Sequence, residues 1–165
     1  MSVDRPLAVV DIDGVIADVR HRLHHLEGRR KAWGPFFAAA PRDGVHPEGA
    51  AIVETLAADH EIVFVTGRPE DLRSVTETWL GEHGFGGHRL IMRGRGDRRP
   101  AARAKVELIG ELAADRHIGI VVDDDRQVLE AARAAGYPTF HADWERRAPE
   151  AEAARHQAQD VDGRM

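Results

Sequence analysis

Cysteine is absent from the 165 residues, which excludes disulfides and thiolate chemistry. No apolar run approaches the ~20 residues needed to cross a bilayer, so no membrane segment is expected. The first residues, Met1 to Pro6, have neither a basic start nor a long apolar stretch. They do not read as a secretory leader, and a cytoplasmic setting is the expectation. A basic excess is also missing: the formal net charge is −5. That argues against a surface that coats nucleic acid generally, while leaving room for a local patch that guides an anion. Aromatics make up only 5% of the chain, and none interleaves with the arginines of 93–103, which weakens a base-stacking role for that segment.

What is present is ordinary for one globular domain, with 42% hydrophobic and 31% charged residues. Leu7-Ala8-Val9-Val10 is a short apolar run ending in Asp11, the pattern of a strand buried on both faces with a polar residue at its carboxyl end. The pattern recurs at 61–65, 89–92 and 118–122, with a weaker fifth run at 138–140. Helical spacing fills 47–59, 70–83, 101–116 and 126–135, and Gly136 is a good helix stop. Strands alternating with helices predict an α/β fold of Rossmann type. Its central, mainly parallel five-stranded sheet is covered on both faces, and the functional crevice lies at the strands' carboxyl ends. From Ala17 to Pro41 the alternation breaks, and a small cap-like insertion after the first strand, about 17–46, is expected. The domain is read as 1–144. Residues 145–165 are read as a frayed helix or disordered tail, because they carry few large apolar side chains.

Every polar cluster falls at the predicted crevice. Asp11-Ile12-Asp13-Gly14-Val15 brings two carboxylates to the end of the first strand, and Asp123-Asp124 brings two more to the end of another. Adjacent carboxylates repel unless a cation or a shared proton relieves them, and Mg²⁺ is the usual hard partner. With Lys105 and the hydroxyl of Thr66, these residues form a site with both anionic metal ligands and cationic phosphate ligands, the mixture phosphoryl transfer needs. Each signal also has a plainer reading. Aspartates at strand ends form turns, Thr66-Gly67-Arg68-Pro69 can start a helix, and a lone helical lysine is usually solvated. His21, His24 and His25 lack the partners of a zinc site. Trp33, Phe36 and Phe37 have the spacing of a small helix docked on the core.

Taken in order, Asp11-Ile12-Asp13-Gly14-Val15, Val65-Thr66-Gly67-Arg68, Lys105 and Val122-Asp123-Asp124 resemble the four motifs of the haloacid dehalogenase superfamily. Within it the chain is most similar to the 3′-phosphatase domain of bacteriophage polynucleotide kinase-phosphatase. The added support comes from Arg93, Gly96-Asp97 and Arg99 before Lys105, from Gln127-Val128 and Glu130 after Asp124, and from arginines at 22 and 68. The resemblance implies that Asp11 is a nucleophile forming an aspartyl-phosphate and that Asp13 is the general acid and base. It also implies that Thr66 holds a phosphoryl oxygen and that Lys105 neutralises charge. Gly67, Arg68, Arg22, Arg93 and Arg99 would contact substrate. Mg²⁺ would be held by Asp11, by Asp13 through its carbonyl, and by Asp123 or Asp124. One departure is that the family's acidic residues shortly before the lysine are replaced here by Ala101 and Ala102.

The short insertion predicts an open mouth rimmed by Arg22, Arg68, Arg93, Arg95, Arg98 and Arg99, suited to a polyanion whose terminal phosphate alone enters. The expected activity is Mg²⁺-dependent removal of 3′-phosphates from a phosphorylated nucleic-acid end or a nucleotide. The rivals are a small-molecule phosphatase of the same fold and a non-catalytic phosphate-binding module. A receiver domain is disfavoured because its phosphorylated aspartate follows the acidic pair. No Gly-x-x-x-x-Gly-Lys-Ser/Thr loop occurs, so a 5′-kinase step, like ligation, would need another protein.

Overall fold

The computed structural model describes residues 4–160. Residues 1–3 and 161–165, on which part of the leader and tail expectations fall, lie outside it. In chain order the elements are β1 (Leu7–Val10), β2 (Ala17–Asp18), α1 (Trp33–Ala38), β3 (Gly44–Val45), α2 (Pro47–Ala57), β4 (Glu61–Pro69), α3 (Arg73–Glu82), β5 (Arg89–Arg93), α4 (Ala101–Ala113), β6 (Ile118–Asp123), α5 (Arg126–Ala134), β7 (Thr139–His141) and α6 (Pro149–Asp160).

β1 is buried along its whole length because it is the middle strand of a five-stranded sheet ordered β5-β4-β1-β6-β7. All four pairings are parallel. Alternation along β1 divides the core. Leu7 and Val9 pack with Val63, Val65, Val121 and the Ile109 and Leu112 side chains of α4. Ala8 and Val10 pack with Phe64, Val122, Val53 of α2 and Trp79 of α3. The result is three layers with the carboxyl ends of β1, β4 and β6 at one edge.

The insertion is a two-stranded antiparallel ribbon of β2 and β3, a 3₁₀ turn at Arg20–Leu26 and α1. Phe36 is buried, while Trp33 and Phe37 are half-buried and packed on the same core, so this small helix docks. Trp79 locks the insertion to α3: its Nε1 donates to the Asp43 carbonyl at 2.9 Å.

Two boundaries differ from the sequence reading. β4 continues through Thr66-Gly67-Arg68 to Pro69, and α3 is preceded by a 3₁₀ turn at Glu70–Leu72. A larger difference lies after Glu145. The segment expected to be a frayed helix or disordered tail contains α6, and it is docked, with Ala151, Ala154, Arg155 and Ala158 buried. Their spacing of three and four puts small side chains on one face, which allows close packing without large apolar residues. Low hydropathy concealed that face.

Candidate active site

Asp11 is the first residue beyond β1, and its backbone N–H still donates to the Val122 carbonyl of β6 at 3.0 Å. The chain then turns sharply: the amides of Val15, Ile16 and Ala17 all point to the Ile12 carbonyl. Gly14 sits at φ +81°, a backbone that L side chains avoid. A Cβ there would also run into the Asp124 carboxylate and the Arg147 guanidinium. Glycine is required on both counts.

Lys105, on the first turns of α4, reaches the crevice with its Nζ 3.0 Å from Asp11 Oδ1 and 2.8 Å from Asp123 Oδ2. All three are buried. Asp123 Oδ1 accepts from the Asp125 amide at 2.9 Å, and Asp125 caps α5 by accepting from the Gln127 amide. Asp11, Asp123 and Asp124 each bring a ligand atom within 4.8 Å of the others. This compact set of hard oxygens fits Mg²⁺.

The electrostatics follow from crowding. Burial, reinforced by Asp123, Asp124 and Asp13, pushes the Asp11 carboxyl well above the usual range, with Lys105 opposing. Burial also raises Asp123, to about 6, against the pull of Lys105. Burial depresses the Lys105 ammonium, but Asp11 and Asp123 outweigh it and the pKa ends above normal. Asp124 goes the other way: burial raises it, and Arg155 and Arg147 more than cancel that.

The Asp13 side chain turns away from this cluster. Its Oδ1 accepts from Arg68 Nη2 at 2.6 Å and Arg22 Nη2 at 3.1 Å. The same guanidinia bind Asp43: Arg22 Nε to Oδ1 at 2.8 Å, and Arg68 Nη2 to Oδ2 at 3.0 Å. Arg22 also lies over the Phe36 ring at 4.3 Å, and Arg68 donates to Thr76 Oγ1. Burial lifts the Asp13 carboxyl, but Arg68 and Arg22 overcome it and hold it far below normal. The Asp13 carboxylate is thus committed to the two arginines and stands outside the Asp11–Asp123–Asp124 group. Thr66 is buried beside this knot, its Oγ1 accepting from the Arg68 amide at 3.1 Å, with Gly67 between them.

The remaining candidates are placed differently. Arg22, Arg68 and Arg93 are nearly inaccessible, at 1%, 2% and 2%, so they do not rim an open mouth as expected. Their aliphatic stems and ion pairs carry them inward. Arg93 is tied to the Arg99 carbonyl, under the loop that follows β5. Arg99 faces Asp97 and Glu107, away from the carboxylate cluster. Beside the end of β4, a cavity of about 280 Å³ is lined by Phe37, Pro69, Leu72, Arg93, Gly94 and Arg98, among others. Three residues at the site had no signal in the sequence. Asp43 reads as an ordinary turn residue in Arg42-Asp43-Gly44, and Arg147 and Arg155 lie in the polar segment.

The model of the family described as the polynucleotide kinase PNKP phosphatase domain matches residues 6–145, the span carrying all four motifs. The chain belongs to that family. Its fold and family are those of haloacid dehalogenase-type phosphatases, which makes it an enzyme of that class. Among solved structures, a chain of the Pnkp1/Rnl/Hen1 RNA repair complex is 22% identical, with a TM-score of 0.67 over 83% of this chain and 42% of that one. A second structure of that complex aligns over 47% of its chain, so the present chain spans less than half the length of these relatives. A haloacid dehalogenase-like hydrolase from Streptococcus pneumoniae aligns over 92% of this chain and 91% of its own, with 13% identity and a TM-score of 0.59. A haloacid dehalogenase superfamily hydrolase from Geobacter sulfurreducens aligns over 86% and 90%, with 14% identity and a TM-score of 0.54. No curated protein sequence matches. Among the described residues, no helix is long and apolar enough to cross a membrane.

Proposed function

We propose that this chain is a Mg²⁺-dependent phosphomonoesterase that removes 3′-phosphates from polynucleotide ends through an aspartyl-phosphate at Asp11. The observation that carries the reading is the buried arrangement of Asp11, Lys105 and Asp123, with contacts of 3.0 and 2.8 Å, inside the matched phosphatase domain.

An Asp11 carboxylate oxygen attacks phosphorus as the bond to the 3′-oxygen breaks, and Asp13 gives its proton to the departing alkoxide. Asp13 then takes a proton from the water that attacks the aspartyl-phosphate, releasing inorganic phosphate and restoring Asp11. In the free protein Asp13 is ionised by Arg68 and Arg22. An entering phosphate dianion draws those guanidinia to itself, and the carboxyl regains the proton it must deliver. Thr66 donates to a phosphoryl oxygen, and Lys105 keeps Asp11 aimed while offsetting charge. Asp11, Asp123, Asp124 and the Asp13 carbonyl would hold Mg²⁺, which when bound neutralises charge on the phosphoryl oxygens.

We would seat the terminal nucleoside in the cavity beside Phe37 and Pro69, whose volume of about 280 Å³ is near the lower end for small-ligand sites (~300 Å³). A kinase or ligase step would fall to another protein or segment, a division of labour suggested by the likeness to a chain of an RNA repair complex. The test is phosphate release, with and without Mg²⁺, from matched 3′- and 5′-phosphorylated oligonucleotides and mononucleotides, with Asp11→Asn as the blank. Selectivity for 3′-phosphorylated ends is expected. Equal or better turnover of mononucleotides would make the enzyme a nucleotidase.

A further inference from the structure

The family match ends at residue 145, yet two guanidinia from beyond it reach the carboxylate cluster. Arg147 Nη2 lies 2.7 Å from Asp124 Oδ2. Arg155 Nη2, from the middle of α6, lies 2.8 Å from Asp124 Oδ1 and 2.8 Å from Oδ2. The side chains of Asp124, Arg147 and Arg155 are 3%, 6% and 1% exposed, so water screens these contacts little. Both arginines are also held in place. Arg147 pairs with Glu145 and, at 3.0 Å, with Glu152, while Arg155 is carried on a helix whose Ala151, Ala154 and Ala158 are buried.

Three carboxylates, Asp11, Asp123 and Asp124, thus face three cations, Lys105, Arg147 and Arg155. Asp124 therefore has a cationic partner on each carboxylate oxygen before any metal arrives. A divalent ion beside Asp124 meets two buried like charges within the first shell of that carboxylate, and repulsion at such distances in a low-dielectric interior is strong. We propose that Arg147 and Arg155 are resident counter-ions that a divalent cation must displace from Asp124, so that the docking of α6 sets how readily the site loads metal. The inference rests on the reading of Asp11, Asp123 and Asp124 as the metal site. Arg147 and Arg155 then act on the metal only through Asp124, by competing for its carboxylate.

Calorimetry with MgCl₂ alone on the full chain tests it, comparing the wild type with Arg155→Gln and Arg147→Gln, each verified as folded by circular dichroism. Loss of one guanidinium is expected to tighten Mg²⁺ binding by on the order of tenfold. Unchanged or weaker binding, which is what arginines that merely orient Asp124 would produce, overturns the proposal. If the variants do not fold, amide hydrogen exchange of the wild type decides. Saturating Mg²⁺ should speed exchange across Pro149–Asp160, and exchange that is unchanged or slowed overturns it. Neither readout involves phosphate release. A protein inactive on every phosphomonoester but showing the affinity gain would sink the proposed activity alone. Mg²⁺-dependent release with unchanged affinities would sink the counter-ion role alone.

Discussion

At the scale of single residues, the site holds charges in an environment that resists them, and this makes the central substitutions informative. Asp11→Asn removes the proposed nucleophile at nearly constant volume, so turnover should vanish. Because burial and three neighbouring aspartates already disfavour the Asp11 charge, the same change should leave the metal-free melting temperature equal or higher. A fall of many degrees would show that the Lys105 contact outweighs the repulsion. Gly14→Ala should be costly for two reasons, the positive φ and the collision with Asp124. Mg²⁺ affinity measured by calorimetry should drop together with stability, and a fully functional alanine variant would contradict the turn geometry. Asp97, in the loop after β5, is held at about 2 by hydrogen bonds from Arg99, with burial opposing. A depressed carboxyl contributes above the ordinary value of ~3.9 and loses that contribution as pH falls through the folded one. That contribution should therefore fade between about 3.9 and about 2 as pH falls, and the Asp97 carboxyl carbon shift should titrate near the lower value in an NMR series. Titration near the ordinary value would mean that Arg99 does not hold it.

At the scale of elements, the insertion is what turns a strand end into a site. Arg22 comes from the turn after β2, Asp43 from the approach to β3, and Arg68 from the last residues of β4. Trp79 on α3 fixes the Asp43 backbone. Asp43 is fully buried as a side chain against Arg22 and Arg68, so Asp43→Ala leaves two guanidinia undercompensated and should cost ~3–5 kcal/mol of stability. Urea unfolding measures this, and a loss under about 1 kcal/mol would show that Asp13 alone balances the arginines. Asp11 and Thr66 stand where apolar runs are broken by polar residues, a pattern visible in the sequence, whereas Lys105, on α4, was singled out by the order of the motifs alone. Asp43 was not legible, because its role depends on contacts with residues 21 and 25 positions away, which no local pattern encodes. The arginines were legible as types but not as places. A charged residue in a basic segment reads as solvated, and only the assembled fold shows which ones pair inward.

At the scale of the whole molecule, the layered α/β architecture was readable from alternation alone, whereas the docking of α6 was not. Its buried face is made of alanines and an arginine, residues that hydropathy treats as indifferent. The middle position of β1 carries a further consequence. Its neighbours on either side begin at Glu61 and Ile118, so the strand that delivers Asp11 is made first and completed late. On a ribosome adding ~5–20 residues per second, the second edge of this apolar segment waits roughly 6–22 seconds for its partner to be synthesised. During that interval an exposed apolar strand edge is open to mispairing. Nascent chains stalled before β6 should therefore be the species most prone to aggregate and most dependent on chaperones, and maturation of the carboxylate cluster should coincide with emergence of Asp123 from the exit tunnel.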